Sequence, residues 1–181
     1  MPRFEDPRIG YFSNQTTDMT IADDPTPYRD MIQRWHLEKK NPSQSRSEVK
    51  EPITWWIENT TPHEFRDAIK EGVLAWNKAF EKAGLINAVE VQVQPDDADW
   101  DAGDIRYNVL RWTSSPNPWF GGLGPRFTNP RTGQILGADI MLEYVWFTNR
   151  VKYEKLYDTF DKQSELPNTG FCRAGESIQQ G

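Results

Sequence analysis

The chain has 181 residues, a formal net charge of −6 and eight tryptophans. This length suits one domain with a buried core, and the acidic balance excludes nucleic acid, because phosphate binding needs a clustered Lys/Arg surface. No stretch approaches the roughly eighteen apolar residues of a membrane helix, the first residues lack the apolar core of a signal peptide, and the single Cys172 excludes an internal disulfide framework.

Residues 1–50 show no sustained hydrophobic periodicity and are predicted to form an extended arm lying on the domain. Within the arm, residues 8–12 and 32–35 are predicted to be short extended pieces. Residues 41–47 have the small, polar composition of a linker, so the compact part is predicted to begin near Glu51.

A strand, a long helix and a second strand are predicted next. Apolar residues alternate at 53–57 and again at 89–93, which is the period of a half-buried strand. Between them, Thr61, Pro62 and Glu64 match a capping box, and an apolar stripe extends to Gly84, a predicted left-handed C-cap. The pattern predicts one helix of about six turns whose flanking strands are parallel.

A third strand and a hairpin follow an aspartate-rich loop. Residues 105–112 alternate as a strand does, and a turn at 129–133 separates a Gly- and Pro-rich arm from a long returning strand over 135–146. The Gly and Pro content of the first arm suits the edge of a sheet, where a missing hydrogen-bond donor costs little. Residues 151–162 carry a weak helical pattern.

The aspartate-rich loop, QPDDADWDAGD, raises the question of a calcium site. Counting from Asp97, acids stand at Asp99 and Asp101, but Ala102 occupies the place where a helix-loop-helix calcium loop has glycine. A looser calcium site near Asp97, Asp99 and Asp101 stays open. The interpretation that we favour is a solvated loop whose Asp side chains bond to their own backbone.

Other candidate sites are incomplete. His63 and Asp67 are spaced like the first two ligands of a zinc helix, but no third ligand is evident, and His36 is interpreted as a surface residue. Cys172 has neither a helix start nor a histidine beside it, so it is not predicted to be a nucleophile. The glycines at 121, 122 and 124 do not precede a helix and therefore do not form a phosphate loop.

Three stretches carry a resemblance to a known family: DPRIGYFS, TPHEFRDAIKEGVLAWNKAFEKAGLINAVEV, and the run from PDDADWDAGDIRYNV to GADIMLEYVW. Together they resemble the Met-zincin family of bacterial zinc-dependent metallopeptidases over most of residues 5–160. The resemblance implies an α+β fold like the N-terminal subdomain of metzincins. Such a fold has a twisted mixed sheet of about five strands, a long helix packed on it and an antiparallel edge strand. It implies an arm at 1–50, an upper subdomain at 51–149 and a C-terminal segment at 150–181 that begins the remainder of the domain.

The zinc motif of that family, His-Glu-x-x-His with a later third histidine, is absent from this chain. The resemblance therefore implies the scaffold half of a peptidase, inactive alone, with zinc held by residues outside this sequence and with the remainder of the domain as its partner. It also implies an exported protein. Because the metzincin edge strand pairs with extended substrate, the peptide-binding segment is expected at Gly122, Leu123, Gly124, Pro125, Arg126 and Phe127.

The rival interpretation is a non-catalytic module whose exposed aromatic residues bind extended peptides or glycans. Trp119, Phe120 and Phe127 lie in or beside the expected edge and are its candidate side-chain contacts. A plain hairpin arm without a binding role is the structural alternative for the same segment.

Overall fold

The computed structural model describes residues 1–20, 29–116 and 118–164. Its elements in chain order are β1 (Ser13–Asn14), β2 (Met31–Ile32), β3 (Ser47–Glu48), β4 (Ile53–Ile57), α1 (His63–Leu74), α2 (Asn77–Lys82), β5 (Leu85–Ile86), β6 (Val89–Val93), β7 (Asn108–Thr113), β8 (Gly122–Leu123), β9 (Arg126–Thr128), β10 (Ile135–Glu143) and α3 (Tyr144–Ser164). Cys172 lies outside the described residues. Two compact units are present, one of residues 1–113 and 122–142 and the other of residues 114–121 and 143–181.

A mixed sheet dominates the first unit. Its strands lie in the order β6-β4-β7-β10-β8, and β9 also pairs with β10. β4 is parallel to both β6 and β7, which confirms the predicted parallel pair on either side of the helical segment. Ile57, Val109 and Leu110 are almost completely buried in these central strands. The predicted α+β class and mixed sheet are confirmed.

The predicted hairpin is also confirmed. β8 and β9 both pair antiparallel with β10, and Gly133 closes the turn with φ of +70°. The Asn108 side chain accepts a hydrogen bond from the Ala138 N–H, and the Thr113 hydroxyl donates to the Leu142 carbonyl, so β7 and β10 run in the same direction. β8 therefore ends the described sheet as its antiparallel edge.

The long helix is broken into α1 and α2, which corrects the prediction of one continuous helix. Around Trp76 the backbone bonds tighten to three-residue spacing, with Trp76 donating to Val73 and Ala79 donating to Trp76. The Asn77 amide bonds both the N–H and the C=O of Val89, the first residue of β6. This side chain competes with a regular helical path, and Trp76 on the predicted buried stripe is 65 % exposed. Gly84 has φ of +84°, as predicted for the C-cap.

The predicted capping box is wrong. The helix begins after Pro62 without any side-chain cap, and the Thr61 hydroxyl is buried with no hydrogen-bond partner. Arg66 organises the segment before the helix instead, since its guanidinium donates to the carbonyls of Asn59 and Thr61. These bonds draw Thr61 into the interior, where its side chain is 1 % exposed.

Two strand boundaries differ from the predictions. The third strand begins at Asn108 rather than 105, because turns in the aspartate loop include Ile105, which is 49 % exposed. The returning strand ends at Glu143, and Trp146 lies in α3. Glu143 is fully buried, and its carboxylate accepts the N–H of Val145 in the first turn of α3, so it caps that helix.

The segment over residues 1–50 contributes buried residues to the first unit. β1 and β2 form an antiparallel pair in which Met31 and Ile32 are buried, and the backbone of Arg34 bonds Gly133 and Ile135. β3 pairs in parallel with β5, and Val49 beside it is buried.

The second unit contains residues 114–121 and α3. The Glu143 carboxylate also accepts the Ser115 N–H at 3.0 Å, which ties the loop to the start of the helix. Trp119 and Phe120 pack edge to face in this loop. Among the described residues, no helix combines the length and apolarity needed to span a membrane.

Candidate functional site

β8, β9 and the two residues between them follow β10 in one register. Gly122 lies opposite Leu142, Leu123 opposite Met141, Arg126 opposite Ala138 and Phe127 opposite Gly137. For each residue gained along the edge, the opposite residue in β10 is one earlier in the sequence. The register therefore does not change between Gly122 and Phe127. The first irregularity comes only between Ile135 and Gly137. The six residues expected from the sequence therefore follow β10 in one register, four of them in β8 and β9, with Gly124 and Pro125 connecting the two strands.

The register determines which backbone groups point outward. The Pro125 carbonyl accepts the Asp139 N–H at 3.0 Å, so Pro125 faces β10 with its backbone. In an antiparallel pair the bonding direction alternates at every residue. Leu123 therefore also bonds to β10, whereas the N–H and C=O of Gly122 and Gly124 point away from it, toward the open edge. Proline has no N–H, and at Pro125 this missing donor lies on the side that faces β10. The backbone groups that point away from β10 are therefore unaffected.

The outward positions are exposed and sterically open. Gly122 and Gly124 are both exposed, and a Cβ at Gly124 would meet its nearest atom, in Ile140, at 3.9 Å. Neither glycine has the left-handed φ that would require glycine, so the sheet itself does not demand them. Their effect is to leave one side of the edge without side chains, so that another backbone can approach closely.

The inward-bonding residues carry the exposed apolar side chains of the edge. Leu123 is 41 % exposed and Phe127 is 39 % exposed. Because side chains alternate between the two faces of a strand, these residues lie on the face opposite to Gly122 and Gly124. Asp139 shares this face, since it lies opposite Pro125, and its side chain is buried. Burial raises the pKa of the Asp139 carboxyl, and the Arg111 guanidinium partly offsets that rise.

Arg126 follows Gly122 and Gly124 on the same face of the edge, and the N-terminal arm holds its side chain. Its Nε donates a hydrogen bond to the Gln33 Oε1. Its guanidinium carbon lies 4.0 Å from the centre of the Phe12 ring, a cation–π contact. Gln33 in turn donates through Nε2 to the Asn14 Oδ1 at 2.9 Å. Asn14 also accepts the Thr128 hydroxyl at 3.1 Å, so the arm is bonded to β9 at two neighbouring points.

The aspartate loop is held by its own turns, as the favoured interpretation predicts. Asp101 accepts the Gly103 N–H at 2.8 Å, and Asp104 accepts the Arg106 N–H and pairs with its guanidinium. The Arg106 side chain, together with its backbone N–H, lowers the pKa of the Asp104 carboxyl to about 2. Trp100 from the same loop stacks on Tyr107 with ring centres 3.9 Å apart. One oxygen of Asp101 is thus used within the loop, and both oxygens of Asp104 are used by Arg106, which follows it.

The other sequence candidates are not brought together. His63 and Asp67 lie exposed on α1, and His36 pairs with Glu38 at 3.1 Å on the surface. Within residues 1–20, 29–116 and 118–164, no three His, Cys, Asp or Glu side chains are close enough to hold a metal ion. The site residues that sequence reasoning missed are Phe12, Asn14 and Gln33. No pattern marks them, because their role depends on a contact across about a hundred residues of chain.

One protein family matches part of the chain, a domain of unknown function (DUF5117), over residues 1–40. The matched stretch includes Phe12 and Gln33, which contact Arg126. No match to a peptidase family was found. No curated protein matches the chain, and no solved structure matches it either. The arm is therefore similar to a domain of unknown function.

Proposed function

We propose that this chain is the scaffold and substrate-binding half of a zinc-dependent metallopeptidase catalytic domain with a metzincin-like fold. The parent protein would hydrolyse peptide bonds outside the cytoplasm. The Met-zincin resemblance supports the reaction class and the export. The chain has only two histidines, fewer than the three of the metzincin zinc site, so the proposal places the zinc ligands in a part of the peptidase outside these residues. The chain alone is then inactive.

The observation that carries the proposal is the outward-facing backbone of Gly122 and Gly124 on an antiparallel edge. An extended peptide can add to such an edge as a further strand through main-chain hydrogen bonds. Each glycine offers one donor and one acceptor to it. Leu123 and Phe127 would contact the side chains that the peptide directs to their face.

The expected affinity of this edge alone is low. Hydrogen bonds contribute about 0.5 to 1.5 kcal/mol each, so the outward groups of the two glycines contribute about 2 to 6 kcal/mol before the costs of ordering the peptide. The upper value corresponds to a Kd of about 40 μM, and the costs of association and ordering weaken the expected binding to the millimolar range. The remainder of the peptidase domain would supply the additional contacts that a substrate requires.

Residue-resolved amide exchange tests the proposal. In the free chain the Gly122 and Gly124 amides should exchange fast and the Leu123 amide slowly, because only Leu123 donates to β10. Adding a capped heptapeptide of alternating Thr and Val at millimolar concentration should slow Gly122 and Gly124 and leave Leu123 unchanged. Uniform behaviour of the three amides would refute the assigned direction of the backbone, and unchanged glycine exchange would refute strand addition.

A matched pair of variants isolates the outward donor. Gly122→Pro removes a donor that the sheet does not use, whereas Gly122→Ala keeps it and adds a Cβ at 3.4 Å from the Met141 carbonyl. We expect Gly122→Pro to weaken binding of the heptapeptide about 2- to 12-fold relative to Gly122→Ala, the equivalent of one hydrogen bond. Equal affinities would contradict the proposed pairing.

The missing zinc site is tested by elemental analysis of the dialysed chain and by incubation with casein and added zinc. Near-zero zinc and no cleavage are expected. One tightly held zinc per chain, or cleavage that a chelator abolishes, would overturn the placement of the ligands outside this sequence. Isothermal titration with CaCl₂ tests the calcium site that the sequence leaves open at Asp97, Asp99 and Asp101. The described structure does not bring these three carboxylates together, so no saturable binding is expected.

The second candidate function is a non-catalytic module that binds glycans or extended peptides through aromatic residues. It is favoured by one observation, the 86 % exposure of Trp119. Stacking of a sugar on this ring would change the tryptophan fluorescence, and Trp119→Ala should abolish that change. Such binding without exchange protection at Gly122 and Gly124 would favour the module over the peptidase half.

A further inference from the structure

Arg126 is the one side chain on the glycine face between Gly122 and Phe127. Gly122, Gly124 and Arg126 alternate along the strand and therefore share a face. A peptide strand added beside them would direct every second side chain to this face, over the space that the glycines leave open. The group it would meet there is the guanidinium of Arg126.

The guanidinium is held in place but its charge is not neutralised by the described part of the chain. The Nε is bonded to Gln33, and no carboxylate among the described residues forms an ion pair with Arg126. Neither terminal nitrogen donates a hydrogen bond to a protein acceptor in those residues. Arg126 is half-buried, so a carboxylate reaching these nitrogens would be screened less than one at a fully exposed site.

The arm fixes the orientation of Gln33. Its Nε2 donates to the Asn14 Oδ1 at 2.9 Å and to the Ser13 carbonyl at 3.3 Å, so its Oε1 is the atom left to face Arg126. The Phe12 ring covers the guanidinium from one face at 4.0 Å. An arginine held in this way loses little conformational freedom when it binds an anion, and its planar fork matches a carboxylate.

Resting on the proposed function, we propose that the edge selects peptides that present a carboxylate to Arg126, and that Gln33 is the positioning residue for this arginine. Two sources have the same chemistry, namely an Asp or Glu side chain on the glycine face and the free C-terminus of the peptide. In both cases the carboxylate accepts from the terminal nitrogens of Arg126 while the peptide backbone pairs with Gly122 and Gly124.

The test uses fluorescein-labelled heptapeptides of alternating Thr and Val in which one Glu or one Gln is placed at each position in turn. Each peptide is made with an amidated and with a free C-terminus, and binding to the full chain is measured by fluorescence polarisation. We expect one register in which Glu binds about tenfold tighter than Gln, or a similar advantage of the free over the amidated C-terminus. The first result identifies a side-chain subsite and the second a C-terminal subsite.

Variants at Arg126 and Gln33 test whether these two residues cause the preference for Glu over Gln peptides. Arg126→Gln should reduce the Glu-to-Gln preference, taken as the ratio of the two affinities within the variant, to less than about twofold. Gln33→Glu places a carboxylate beside Arg126 and should abolish the preference. Because Glu lacks the Nε2 donors to Asn14 and Ser13, amide exchange of residues 31–34 checks that the backbone bonds of the arm persist. Gln33→Leu, which frees the guanidinium, should give an intermediate preference that falls further with added salt.

The outcomes separate this proposal from the proposed function. If Gln and Glu peptides bind equally in every register, amidated or free, while Gly122→Pro still weakens both, strand addition stands and the carboxylate preference is refuted. If a preference exists but survives Arg126→Gln, its assignment to Arg126 is refuted. If no peptide binds, both proposals fail.

Discussion

Gly133 tests how the N-terminal arm is held against the sheet. It has φ of +70°, and a Cβ at this position would lie 2.2 Å from the Ile32 carbonyl oxygen and 3.1 Å from its carbon. Gly133→Ala therefore imposes a left-handed backbone cost of about 1 to 2 kcal/mol and a contact that only movement of the arm relieves. Such movement lengthens the bonds of Arg34 to Gly133 and Ile135, now 3.1 and 2.8 Å, and each contributes about 0.5 to 1.5 kcal/mol.

The summed expectation for Gly133→Ala is a loss of about 2 to 5 kcal/mol in the free energy of unfolding of the first unit. Guanidinium unfolding followed by tryptophan fluorescence measures it. The matched control is Gly72→Ala in α1, where a Cβ meets nothing within 4 Å and the helix should gain about 0.5 to 1 kcal/mol. If Gly133→Ala lies within 0.5 kcal/mol of the parent while the control behaves as expected, the reasoning about the docked arm is wrong.

Three further substitutions have expected outcomes. Thr61→Val should raise stability by about 1 kcal/mol in the same unfolding assay, since the buried hydroxyl has no partner, whereas a capping role would make it destabilising. Asp139→Asn should be stabilising at neutral pH, because burial raises the pKa of this carboxyl. Its advantage should vanish as pH falls and the native Asp139 becomes protonated. Asp104 has its pKa lowered to about 2 by Arg106, so Asp104→Asn should be most destabilising above about pH 4, and its effect should shrink as the pH falls and vanish only below about pH 2 in acid titrations of stability.

Local patterns predicted the sheet better than the helix. The alternation at 53–57 and 89–93 and the turn at Gly133 are local signals, and the structure has the strands and the hairpin that they predict. The single long helix was wrong because Asn77 bonds Val89 across the unit, a contact that no helical periodicity reveals. The predicted capping box was wrong for a similar reason, since the Arg66 side chain donates to the Thr61 carbonyl and fixes the segment before the helix.

The sequence could predict that residues 122–127 lie at a sheet edge, but not which of their backbone groups and side chains face outward. Its Gly and Pro content indicated an edge, yet which backbone groups point outward depends on the register against β10, and one residue of slip would exchange them. The bond from Arg126 to Gln33 joins residues 93 apart in sequence and crosses from β9 to the arm. Nothing in either segment alone indicates it.

An open edge that can accept a peptide strand can also pair with a second copy of itself. Proteins commonly protect edges with proline, but Pro125 bonds toward β10 and does not block the outer side at Gly122 and Gly124. We therefore expect weak self-association at millimolar concentration, measured by sedimentation equilibrium. It should be reduced in Gly122→Pro relative to Gly122→Ala and suppressed by the Thr/Val heptapeptide. If neither Gly122→Pro nor the heptapeptide changes the extent of self-association, the copies contact each other elsewhere, and the edge is not shown to be accessible.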